Sequence, residues 1–67
     1  MKKGTVVKIT DIDFVKANYE SIGTVIKSMW VILPPNLYNV AKIHVYEVQM
    51  KESGMSILFP IESLIIL

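Results

Sequence analysis

The sequence predicts an all-β domain, a small barrel or sandwich of five short strands. Two patterns carry that prediction. Runs rich in β-branched and aromatic residues are separated by glycine, proline and polar turn residues, and no stretch holds a 3.6-residue apolar period for long. The third observation is length: 67 residues leave room for one domain, spanning 1–67, and no second.

Residues 4–10 form the first strand, opened by Gly4 and carried by Thr5, Val6, Val7 and Ile9, side chains that favour extended backbone. Residues 11–21 admit two readings. Thr10 or Asp11 can cap a short helix that sets Ile12, Val15, Tyr19 and Ile22 roughly on one face. Strand signals press in from both sides, so a long loop with one short helical turn is favoured. Residues 22–32 form a long second strand. Its apolar residues do not alternate cleanly, which calls for two covered faces or a bulge that changes the phase.

Pro34 and Pro35 break that strand, since neither can donate to a ladder and each pushes the preceding residue extended. Residues 37–41 complete the connection and residues 42–50 make the third strand. Lys51, Glu52, Ser53 and Gly54 form a four-residue hairpin loop with positive φ at the glycine. Residues 55–59 are the fourth strand, 60–63 one tight turn, and 64–67 a short fifth strand. The start of the first strand, Gly4-Thr5-Val6-Val7-Lys8, is echoed by Gly23-Thr24-Val25-Ile26-Lys27. The echo admits a duplicated hairpin, but one backbone demand met twice is the favoured reading, because a period seen once is not a repeat array.

A glycine-led strand, a long loop, Ile22-Gly23-Thr24-Val25-Ile26, then Tyr46-Glu47-Val48, then Phe59-Pro60-Ile61-Glu62-Ser63-Leu64-Ile65 resembles the small SH3-like β-barrels. That group includes KOW-type ribosomal and transcription-factor domains, the photosystem I accessory barrel and the nitrile hydratase β-subunit barrel. The resemblance covers nearly the whole chain. It implies a five-stranded barrel in which Pro60 starts a short 3₁₀ turn and Leu64 closes the core. Members bind RNA, proteins or cofactor-bearing subunits, so the fold brings no single function with it. The connection over 33–41 is long for the group, and its arginine-rich RNA-binding loops are missing.

Composition narrows the function classes. The chain is 52 % hydrophobic with a mean hydropathy of +0.48, while a domain this small buries only about 60 % of its unfolded surface. Apolar surface is therefore left over, and a contiguous apolar patch marks an interaction site. No segment reaches the roughly 20 apolar residues of a membrane-spanning helix, and Met1-Lys2-Lys3-Gly4-Thr5 leads into a strand rather than a signal peptide. With no cysteine there is no disulfide framework, and the expectation is a cytoplasmic protein away from membranes. The basic residues are all lysine; arginine, the usual reader of guanine edges and phosphate clamp, is absent.

A catalytic or metal set is not legible. Asp11, Asp13 and Glu20 lack the further ligands and glycine of a calcium loop and read as solvated loop acids. His44 has neither an orienting acid nor a nucleophile on a strained turn nearby. Gly4, Gly23 and Gly54 are isolated and cradle no phosphate. The expectation is a non-enzyme with no cofactor and no metal.

Aromatic residues carry what remains. Trp30, Tyr19, Tyr38 and Tyr46 are candidates for a contact face, with Tyr46 and Phe59 also candidates for the core. Met29, Trp30, Val31 and Tyr38, with the charge-free terminus Leu64, Ile65, Ile66 and Leu67, are the expected interface, because an unblunted edge strand invites pairing. The chain thus reads as a protein-interaction module: a homo-oligomer, or a small subunit or inhibitor of the kind a phage or mobile element encodes. Self-association is the favoured partner. The alternative is non-specific nucleic-acid binding through Lys8, Lys16, Lys27, Lys42 and Tyr19, as backbone electrostatics and base stacking allow.

Overall fold

A computed structural model describes residues 1–32 and 42–67. The double-proline break and Tyr38 lie outside the described residues. In chain order the elements are β1 (Val6–Ile9), α1 (Ile12–Asn18), β2 (Ile22–Ile32), β3 (Lys42–Met50), β4 (Ser56–Pro60), a 3₁₀ turn (Ile61–Ser63) and β5 (Leu64–Ile66). The strands form one antiparallel sheet in the order β4-β3-β2-β1-β5. The expected five-stranded all-β architecture is present. Its two edge strands, β4 and β5, are not paired with each other, so the sheet is open rather than hydrogen-bonded into a closed barrel.

Alternation fixes which face is core. In β1, Val7 and Ile9 are buried while Val6 and Lys8 point to solvent, the two-residue period of a half-covered strand. Val7, Ile9, Val25, Tyr46, Val48, Met50 and Phe59 form one buried cluster, with Phe14, Val15, Ile57 and Leu64 packed against it. Gly23 stands opposite both Val7 and Met50. A Cβ there would run into Val48 Cγ1 and sit 2.9 Å from the Gln49 carbonyl oxygen, so the sequence needs glycine at this crossing. At the β3–β4 loop Gly54 takes φ 74°, the left-handed conformation its place in the hairpin demanded.

The segment 11–21 is more helical than its sequence suggests. Instead of one turn in a loop, α1 runs for seven residues, about two turns. Asp11 is its N-cap: the Oδ1 atom accepts from the Asp13 and Phe14 amides at 3.1 and 3.2 Å. At the other end Tyr19 adopts φ 56° and its amide donates to the Val15 carbonyl at 2.8 Å, closing the last turn. So short a helix is not stable alone. Phe14 settles it, standing edge-on to Phe59 with ring centroids 5.0 Å apart and planes at 88°. Tertiary packing outweighs the neighbouring strand propensity.

β2 and β3 outrun the rest of the sheet. β1 pairs with β2 only through Thr24, and β4 reaches along β3 no further than Val45. Beyond those points residues 27–32 and 42–44 form a two-stranded arm, and the molecule measures 41 × 26 × 18 Å.

Candidate interaction surface

A β-bulge decides what the arm displays. The register shifts between Val25 and Lys27, so of the two readings of the irregular alternation in residues 22–32, a bulge is present. Before the shift Gly23 and Val25 face the core. After it Ser28, Trp30 and Ile32 stand opposite Tyr46, His44 and Lys42, so the even-numbered residues take over the core-side face. Without that one extra residue Trp30 would lie on the other side of the sheet.

Three rings then line up along this face. Trp30 stacks on His44 with centroids 4.8 Å apart and planes 20° from parallel, and His44 meets Tyr46 at 4.8 Å and 43°. The ladder begins in the core, where Tyr46 is only 4 % exposed, and ends in solvent, where Trp30 is 65 % and Ile32 64 % exposed. The Tyr46 hydroxyl accepts from the Met1 ammonium at 3.4 Å. Trp30, Ile32 and Lys42 line an open recess of about 430 Å³. On the arm's opposite face Met29 pairs with Val45 and Val31 with Ile43. Met29, Val31 and Ile43 are half-buried. Lys27 and Glu47 form an ion pair at 3.6 Å near the arm's base, which in solvent contributes little.

The expected interface separates into two patches. Met29, Trp30 and Val31 share the arm, whereas the terminal segment forms the sheet's far edge, with β1 between it and β2. Leu64 packs on the core, while Ile65, Ile66 and Leu67 are exposed. The lysines are dispersed as well. Lys8 and Lys27 lie on the face away from the core, Lys16 is in the last turn of α1, and only Lys42 borders Trp30. Tyr19, 89 % exposed, caps α1 at a distance in the fold from that recess. Tyr46 belongs to the core.

Glu20 is a correction to the sequence reading, which made it a solvated loop acid. It is buried and its Oε1 accepts from the Glu52 and Ser53 amides at 3.0 and 3.3 Å. The Ser53 hydroxyl first, and those two amides with it, hold the carboxyl below the usual glutamate range, against burial acting in the opposite direction. Glu20 thereby ties the β3–β4 loop to the start of β2.

Sequence reasoning missed the His44 stacking. Its signal was present in part: His44 and Tyr46, two apart on a strand, must share a face. Placing Trp30 beside them required the bulge. Among the described residues no three His, Cys, Asp or Glu side chains gather as a metal-binding group, and no helix is long and apolar enough to cross a membrane. Comparison with protein-family models, curated proteins and solved structures finds no match to this chain.

Proposed function

We propose that this chain is a non-enzymatic protein-interaction module whose contact surface is the β2–β3 arm. One observation carries the reading: Trp30 and Ile32 stand about two-thirds exposed on a strand pair whose other face is also apolar. A two-stranded hairpin is marginal in water by itself, and an exposed tryptophan is among the residue types that most often anchor a protein contact. The SH3-like reading of the fold belongs to the same proposal. It is supported by the strand order and by the 3₁₀ turn between β4 and β5.

The test uses the chain's single tryptophan as its own probe. Binding through the arm shifts Trp30 emission to shorter wavelength and shields it from acrylamide, whether the binder is another copy or a protein retained from host extract. Emission unchanged by concentration and by extract, with no protein retained, would remove the proposal.

Non-specific nucleic-acid binding is the second reading, favoured by one arrangement: the stacked rings of Trp30 and His44 beside Lys42, a pattern suited to base stacking. A mobility shift with single-stranded RNA that weakens as salt rises supports it. No shift at low salt eliminates it.

A further inference from the structure

We infer that the arm's occupant is a second copy of this chain, paired antiparallel through the free edge of β2 about a two-fold axis that passes by Trp30. The inference rests on reading the chain as a protein-interaction module. Its starting point is an unpaired edge. On the side of β2 away from β3, the last backbone bonds among the described residues join Val25 to Gly4 and Thr5. Among the described residues no strand pairs there from Lys27 to Ile32, and an unpaired row of amides and carbonyls is a template for another strand.

The free edges among the described residues are not equivalent; that of β3 beyond β4 covers only residues 42–44 and begins with the charged Lys42. β4 ends on Pro60, which has no amide to donate. β5 is only three residues long. The open part of β2 is longer and carries no charged residue from Ser28 to Ile32, so a charged partner strand finds nothing there to match, and a copy of the same strand finds nothing to repel.

The side-chain pattern is also self-complementary. With Trp30 opposite the partner's Trp30, Met29 falls opposite the partner's Val31, and Ser28 opposite the partner's Ile32. Core-side residues meet core-side residues, as a continuous sheet requires; a slip of one residue would set the apolar ladder of one copy against the wrong face of the other. The two indoles become a cross-strand pair, among the more stabilising in antiparallel sheets. The patch is short, so the contact falls below about 1,200 Å² in total, the range of weak specific interfaces, and the dimer is to be sought at micromolar concentrations.

Sedimentation velocity over a concentration series tests this, with the melting curve of each variant confirming its fold. Wild type dimerises. Trp30→Glu and Trp30→Lys, each opposing its own charge across the axis, raise the dissociation constant at least about tenfold, and an equimolar mixture of the two recovers a dimer. Ile65→Glu, on the distant edge, leaves dimerisation intact. Since the chain has no cysteine, Trp30→Cys supplies a readout independent of stability. Residues opposite each other in an antiparallel pair have Cα atoms about 4.5–5.5 Å apart, within disulfide reach. Trp30→Cys therefore oxidises to a covalent dimer, while Ile32→Cys, four residues out of register with itself, does not.

A dimer that survives Trp30→Glu, or that Ile65→Glu abolishes, overturns the inference. So does a wild-type monomer whose Trp30 is shielded by a different protein, although the interaction-module reading then stands. A monomer that binds nothing overturns both.

Discussion

Trp30 and His44 stack directly across β2 and β3, 4.8 Å apart and 20° from parallel, at a point that neither β1 nor β4 flanks. Their contact belongs to the arm rather than to the core cluster, which Tyr46 alone of the three rings joins. The proposed contact and the stability of the fold are therefore separable at Trp30. Trp30→Ala is expected to cost the fold only the ring pairing and a partly shielded surface, about 0.5–1.5 kcal/mol, read as a small shift in the urea midpoint. A loss above about 3 kcal/mol, the scale of a core aromatic, would show the ring to be structural.

The contrast is Phe59. It is 4 % exposed, pairs with Tyr46 across β3 and β4, and holds Phe14 of α1 edge-on. Phe59→Ala should cost about 3–5 kcal/mol, which a domain this small can barely sustain. Phe14→Ala should cost less, because its helix lies at the periphery. A double-mutant cycle between the two is expected to give a coupling of about 0.5–1.5 kcal/mol. Strict additivity would mean that α1 is held by something else.

Gly23→Ala supplies a test of the sheet's tightest crossing. The new methyl has no room between Val48 and the Gln49 carbonyl, so the β2–β3 register must open locally. Overpacking of that kind costs about 1–3 kcal/mol. Alanine at Gly4, where nothing lies within 4 Å but φ is +92°, is strained through the backbone instead. Destabilisation at Gly23 that disappears when Val48 is cut to alanine identifies crowding as the cause. If it persists, the backbone is responsible.

Strand positions were legible because local chemistry and global fold agree there. Residues 22–32 and 42–50 read as strands from their β-branched and aromatic content, and they are β2 and β3 with those limits. The bulge was legible as a fault in alternation but not as a location, since the residue that slips depends on its neighbours across the ladder. α1 was underestimated because its stabiliser, Phe59, lies more than forty residues away. The loops over the ends of the sheet behave alike: Glu20 looks like any exposed acid until the hairpin at Ser53 folds onto it. The surplus of apolar side chains was visible in composition. That Trp30 and Ile32 carry part of it on the arm was not, because the arm follows from where β1 and β4 stop.

The tie between Glu20 and the β3–β4 loop is measurable. Its folded-state carboxyl is held below the ordinary value near 4.5 by the Ser53 hydroxyl first and by the Glu52 and Ser53 amides. A depressed acid stabilises the fold in its ionised form. Its contribution is complete above the unfolded-state value and shrinks as pH falls through the lowered folded-state one. Stability by urea denaturation, followed from neutral pH into the acid range, should therefore fall in wild type below about pH 4.5. Glu20→Gln keeps an acceptor for the loop amides but has no proton to gain. It should be less stable at neutral pH and flatter with acidification, the two curves converging at low pH. Parallel curves would mean that the Glu20 contact with the β3–β4 loop adds nothing to the fold.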